Sequence, residues 1–286
     1  MKFIALVNPG LETVCQQEIK ELLKIKSVIH AHALEFETSP ESALCFINHT
    51  QSARRVLLLL DICSLPEESK FNEVDWNELI SSGLSFKAEI ENVSGNENRM
   101  SIAKKVVGNV FRAVEKQGIS ISIDLKKPDV TLVVYFNEKQ YVLGIDLSGI
   151  ELNARHYRVF THSASLKGDL AYFFIRKSGF NPGKNILIGC GKDGVMGIEA
   201  ALYAHSVPVL YNQHHSYQKI PLFKDIKVPA LHITPAETTI AITDENQRNI
   251  IAARKNSSIA GVRKFINIQQ MYLDEMSSAF GKESFD

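Results

Sequence analysis

Hydrophobic positions along this chain change their period several times, and each change marks an expected element. Phe3 to Val7 is a short apolar run stopped by Asn8-Pro9-Gly10, which predicts a strand. Leu11, Val14, Ile19, Leu22 and Leu23 then share one helical face. Ala33 to Thr38 alternates as a half-buried strand does, and Pro40 opens a helix through Ala43, Phe46 and Ile47. The basic-to-aliphatic stretch over 51–60 predicts another helix. Further on come a short helix around Trp76 and Leu79 and an alternating strand from Ser85 to Val93. A helix from Ser101 to Gln117 follows, with Ile102, Val106, Val110 and Val114 four residues apart and Gly118 placed to cap it. Strands are expected over Ile119 to Leu125, Val130 to Phe136 and Gln140 to Asp146, the last two forming a hairpin across Asn137-Glu138-Lys139. Strand, helix, strand, strand is the order of a small α+β domain.

Leu147 to Lys167 is polar and predicts a boundary, giving domains at 1–160 and 161–286. Beyond it the period settles into strand–helix alternation. A helix runs from Leu166 to Ser178, and Asn185 to Ile188 reads as a buried strand. A turn with Gly189, Gly191 and Gly194 leads into a helix over Val195 to Ala204. Residues 205–235 show little periodicity. Thr239 to Thr243 is a second strand, tipped by Asp244, and a helix from Asn246 to Ala260 leads to a third strand at Phe265 to Gln269. Such alternation calls for a parallel sheet.

Composition narrows the class without naming it. Of 286 residues, 45% are hydrophobic and 22% charged, as in an ordinary globular protein of about two domains. The longest aliphatic run, Val56 to Leu60, is far too short to span a bilayer. Four scattered cysteines without a C-x-x-C pair suggest reduced thiols and a cytoplasmic setting. His214-His215 with His205 or His232 match no zinc spacing, and no metal is expected.

Two stretches carry candidate chemistry. Lysines and arginines balance aspartates and glutamates at 32 each, yet Arg99 to Lys127 holds seven cations against two acids. Lys104, Lys105, Arg112, Lys126 and Lys127 could therefore form a phosphate-binding face, or simply a solvated helix. Gly189, Gly191 and Gly194 sit where a strand turns into a helix, so positive φ and close ligand approach are available there. Asp244, at the tip of the second strand, has the place of a ribose-binding acid, or of a helix N-cap.

These residues resemble the THUMP-domain RNA methyltransferases that make N2-methylguanosine in tRNA or ribosomal RNA. The likeness spans essentially the whole chain. N-P-G-L-E-T-V-C-Q-Q-E-I from Asn8, A-R-R-V-L from Ala53 and V-D-W from Val74 follow family motifs. G-I-D-L-S-G-I-E-L-N-A-R-H-Y-R, from Gly144 to Arg158, is the longest match. S-A-S-L-K from Ser163, I-E-A-A-L from Ile198 and A-R-K-N-S-S-I-A-G-V from Ala253 complete it. The resemblance implies a ferredoxin-like N-terminal region plus THUMP, then a Rossmann-like class I methyltransferase domain, α+β followed by α/β. It implies S-adenosylmethionine as cofactor, held by Gly189, Gly191, Gly194 and Asp244. It also implies RNA as partner, tRNA ahead of ribosomal RNA, with Arg155 and Arg158 joining the basic residues above.

The sequence departs from the family at its cofactor loop. The motif's acid falls on Ile188, its proline on Gly189, its first glycine on Lys192 and its threonine on Val195. No N-P-P-Y or D-P-P-Y occurs, so no catalytic residue is assigned, and the sheet is expected to be incomplete. The expected function is a THUMP-type RNA-binding protein with a degenerate methyltransferase domain that does not act alone. The alternative is an S-adenosylmethionine-dependent guanine-N2 RNA methyltransferase completed by a partner chain or a longer protein. An open sheet edge would then invite homo- or hetero-oligomers.

Overall fold

A computed structural model describes residues 1–210, 216–228, 237–281 and 285. These form two compact units, one of residues 1–47, 54–150 and 216–228, the other of 48–53, 151–210, 237–281 and 285.

The chain starts with β1 (Lys2–Val7), α1 (Glu12–Leu23), β2 (Ser27–His30), β3 (Ala33–Glu37), α2 (Pro40–His49) and β4 (Ala53–Cys63). It continues through β5 (Ser85–Glu91), α3 (Asn96–Lys116), β6 (Ser122–Ile123), β7 (Val130–Phe136) and β8 (Tyr141–Asp146). All eight strands join one sheet in the order β2-β3-β1-β4-β8-β7-β5-β6. β7 and β8 are the expected antiparallel hairpin, while β5 runs parallel to both β6 and β7.

The expected helix over 51–60 is a correction. Those residues start β4, which lies in mid-sheet between β1 and β8. An unbroken Val-Leu run lacks the polar gaps of an amphipathic helix. It is what a strand covered on both faces looks like. Val56, Leu57 and Leu58 are accordingly buried. Two smaller differences are that α3 begins at Asn96, not Ser101, and that β6 keeps only two residues of its expected strand. β2 carries no apolar alternation and was not expected.

α3 packs on β5 through Val106, Val110, Ala113 and Val114, which leaves its charged positions outward. Below it, Asp129 ties the parallel strands to residue 219. Its carboxylate accepts from Lys219 Nζ at 2.7 Å and from Ser85 N and Oγ at 2.9 and 2.7 Å. Lys219 first, then the two Ser85 bonds, pull its pKa from 3.8 down to about 2. A depressed acid contributes stability above its unfolded pKa and loses it as pH falls through the folded value. Urea unfolding followed by Trp76, the single tryptophan, is thus expected to lose up to about 2 kcal/mol between roughly pH 4 and 2. Asp129→Asn should remove that part of the acid dependence; an unchanged pH profile would count against the assignment.

The second unit adds α4 (Gly168–Lys177), β9 (Ile186–Ile188), α5 (Val195–Ala204), β10 (Ile240–Asp244), α6 (Gln247–Ile259), β11 (Ile266–Gln270) and α7 (Met276–Phe280). β10 lies between β9 and β11, parallel to both. Its core gathers Ile198, Ala201, Ile242, Ile250, Ala253 and Val262 from the sheet and its flanking helices.

Candidate functional site

β9 delivers the chain into the glycine loop, and Gly194 starts α5 as its N-cap in a left-handed conformation, φ 84°. A methyl group on Gly194 would lie 2.8 Å from Ala253 Cβ, and one on Gly191 would lie 2.3 Å from Ile242 Cγ2. Gly191 N donates to Thr243 O at 2.9 Å, which closes the loop onto β10. These glycines are needed where the loop meets its own sheet and helix.

Cys190 and Lys192 also take left-handed backbones, φ 54° and 50°. Side chains there cost on the order of 1 kcal/mol each, which glycine would avoid. Lys192 is the position where the resembled family carries glycine. Its backbone N donates to Asp244 Oδ2 at 2.9 Å, and its Nζ donates to Ala164 O at 3.0 Å.

The structure therefore brings Asp244 to the loop as expected. Its other oxygen, Oδ1, accepts from Asn246 N at 2.9 Å and Asn249 Nδ2 at 3.0 Å. Asn246, not Asp244, caps α6, accepting from Arg248 N at 2.9 Å. Asp244 is buried, and both of its oxygens brace the loop against the helix.

Asp193 was legible only as a motif slot, yet it anchors the approach to the loop. It is buried, and accepts from Ser165 Oγ at 2.6 Å and His162 N at 3.2 Å. Its carbonyl takes Asn256 Nδ2 at 3.0 Å, and Asn256 also clasps Phe160 through two backbone bonds.

Arg155 is a second correction. It was expected on RNA, but its side chain is fully buried with Glu199. Nε donates to Glu199 Oε1 at 2.7 Å and Nη2 to Oε2 at 3.0 Å. Further donations reach Leu152 O and Gln51 O, while Tyr157 Oη and Gln51 Nε2 complete the carboxylate at 2.6 Å each. Burial works against the guanidinium charge, but the Glu199 carboxylate outweighs it and holds the pKa above its usual value. Arg158 is half-buried. The guanidinium of Arg155 presents nothing to a phosphate.

The remaining basic residues lie on the first unit. Lys104, Lys105, Arg112, Lys126 and Lys127 are exposed. Lys105 pairs with Glu67 at 3.0 Å, and Arg112 donates to Asn109 Oδ1 at 2.6 Å. Lys104 stands about 100° around α3 from Lys105, so not every cation shares one face. Exposed Ile123 and Leu125 lie close in sequence to Lys126 and Lys127.

Among the described residues no group of three His, Cys, Asp or Glu could hold a metal ion. His205 is buried and stacks on Phe265 with ring centres 3.8 Å apart; His214, His215 and His232 lie outside the described residues. Nor is any described helix long and apolar enough to cross a membrane.

Two cavities flank β9. One, about 100 Å³, lies between Ala164–Leu166 and Gly189–Asp193. The other, about 450 Å³, follows the β9 strand and is lined by Phe174, Ile175, Phe180, Ile186, Met196 and Phe285. Sites for drug-sized ligands run to roughly 300–1,000 Å³. Over Gly189 itself, a methyl group would meet Met276 Cε at 3.2 Å and Leu273 Cδ2 at 3.6 Å. In this arrangement the loop has the shape of a nucleoside-ligand turn but not the room for S-adenosylmethionine.

Comparison with known proteins sets this unit in a class. Residues 155–286 match the family model described as UPF0020, the RMKL-like methyltransferase domain. That half of the chain is a methyltransferase domain. Among solved structures, the chain is similar to SMU.472, described as a methyltransferase complexed with SAH, at 19% identity and TM-score 0.76, covering 96% of this chain and 76% of that one. A protein described as an N6-adenine-specific DNA methylase from Listeria monocytogenes gives 18% identity and TM-score 0.79, over 94% and 74%. TrmN from Thermus thermophilus gives 18% and 0.68, over 98% and 75%. At these identities the likeness shows a shared fold, Rossmann-like in the second unit.

Proposed function

We propose that this chain is the RNA-holding and cofactor-domain part of an S-adenosylmethionine-dependent RNA methyltransferase of the guanine-N2 type, and that it catalyses only with further polypeptide. The edge of β9 carries this reading. Doubly wound sheets run 3-2-1-4-5-6 and place their ligand crevice where the order reverses, beside the first strand. β11-β10-β9 corresponds to 3-2-1, and among the described residues β9 pairs only with β10. The groove of about 450 Å³ lies where a fourth strand would go.

The first unit is read as the ferredoxin-like and THUMP part, working in the cytoplasm on tRNA. It holds the backbone through phosphate contacts that position without reading sequence. With bound cofactor, the sulfonium of S-adenosylmethionine would supply the methyl group. The residues offered toward it are Gly189, Gly191, Gly194 and Asp244, once the loop has opened.

Two measurements test this. Tagged chain recovered from its own cells should transfer labelled methyl groups from S-adenosylmethionine to RNA, whereas the recombinant chain alone should not; a preparation that binds no RNA and transfers nothing in either form would refute the reading. In gel-shift titrations with tRNA, replacing Lys104, Lys126 and Lys127 by alanine should weaken binding and flatten log K against log salt by about 0.7–0.9 per lost phosphate contact. An unaltered slope would remove those lysines from the interface.

A further inference from the structure

The residues after β11 turn back over the end of the sheet. Met271 N still bonds Asp244 O at 3.1 Å, and then the chain leaves the strand. Leu273 and Met276 come to rest on Gly189, and Met276 Sδ lies 3.9 Å from Thr243 Oγ1. Phe285 lines the groove along β9, and its ring meets Phe280 of α7 edge-on with centres 5.3 Å apart. The same short stretch therefore covers the glycine loop and the unpaired strand edge together.

We infer that residues 273–281 with Phe285 form a displaceable cover, which closes the ligand crevice until a strand is added to β9. The inference rests on the methyltransferase reading above, and adds to it a gate built from this chain's own side chains.

The cover is thinly anchored, as a movable element must be. Leu273 is 57% exposed although it touches Gly189, and Met276 is half-buried. The polar bonds of the stretch are largely internal: Tyr272 N donates to Glu275 Oε2 at 2.9 Å and Ser278 Oγ to Glu275 O at 2.8 Å. Few apolar contacts hold it down, and nothing in it braces Asp244 or Lys192.

Two consequences follow from shared occupancy. A ligand over Gly189 must displace Leu273 and Met276, so its apparent affinity is reduced by the fraction of molecules that are open. A strand pairing with β9 must displace Phe285, and the Phe280–Phe285 contact links that movement to α7. Strand addition then raises ligand affinity, and by reciprocity ligand binding favours strand addition.

The test uses the recombinant chain and S-adenosylhomocysteine as probe, by calorimetry, with amide hydrogen exchange of residues 186–196 as a readout independent of ligand. Leu273→Ala with Met276→Ala should bind about ten-fold more tightly than the unaltered chain and exchange correspondingly faster over 186–196. Met276→Leu, which keeps the contact, should behave as the unaltered chain does and guards against a general loss of packing. Unchanged exchange in the double variant overturns the cover. So does faster exchange with the same measurable affinity in both chains. Faster exchange with no binding in any form leaves the cover standing and instead removes the cofactor reading.

Discussion

Replacing Glu199 by alanine is expected to unfold the second unit while leaving the first folded. The carboxylate is wholly buried and accepts from Arg155 twice, from Tyr157 and from Gln51. Removing it strands a guanidinium in the interior with only two carbonyl partners, Leu152 O and Gln51 O. Breaking a buried pair by deleting one partner costs about 3–5 kcal/mol, since the other charge keeps its desolvation penalty. That is a large share of the 5–15 kcal/mol that holds a typical domain. Arg155 also has φ 53°, a strained backbone that the same bonds hold in place. Glu199→Gln should lose less, because its amide still offers one acceptor. Trp76 lies in the first unit and cannot report this event, so the measurement is hydrogen exchange of β9, β10 and β11. A Glu199→Ala protein with unaltered protection in those strands would show that the network contributes little.

This network also shows where reading the sequence stops. Arg155 and Arg158 stand two residues either side of Tyr157 in a polar stretch, and a pattern of exposed charge is the natural expectation there. Nothing local says that Glu199, in the second turn of α5, turns inward to meet Arg155. Burial of a charge is a property of two distant segments, and periodicity reports only one at a time. β4 failed for a different reason: an aliphatic run with no polar gaps has no period, so helix and two-sided strand are alike until neighbours on both edges are known. The strand–loop–helix of β9 and α5, by contrast, was fully legible. Its signal is local: an apolar run, glycines where φ must be positive, then helical spacing. Asp244 was legible for the same reason, as an acid at a strand tip. That both of its oxygens brace the loop, and that Met276 lies on Gly189, depends on side chains up to 87 residues apart, Gly189 to Met276. No window along the chain contains them.

The glycine loop gives the second large expected effect, and its three glycines should not respond alike. At Gly194 a methyl group meets Ala253 Cβ at 2.8 Å on a backbone of φ 84°. Left-handed strain of about 1–3 kcal/mol adds to overpacking of similar size, so Gly194→Ala is expected to cost roughly 2–4 kcal/mol. Gly191→Ala forces its methyl within 2.3 Å of Ile242 Cγ2, a side chain fixed in the centre of β10, and should cost a comparable amount by overpacking alone. Gly189 differs in what it faces. Its methyl would meet the end of the flexible Met276 side chain at 3.2 Å, which can give way. Gly189→Ala should therefore cost under about 1 kcal/mol, in the range of tolerated substitutions. Hydrogen exchange across β9 and β10 separates the three. Equal losses at all three positions would mean that Gly189 faces something firmer than a movable methionine, and that the stretch above it belongs to the fixed core.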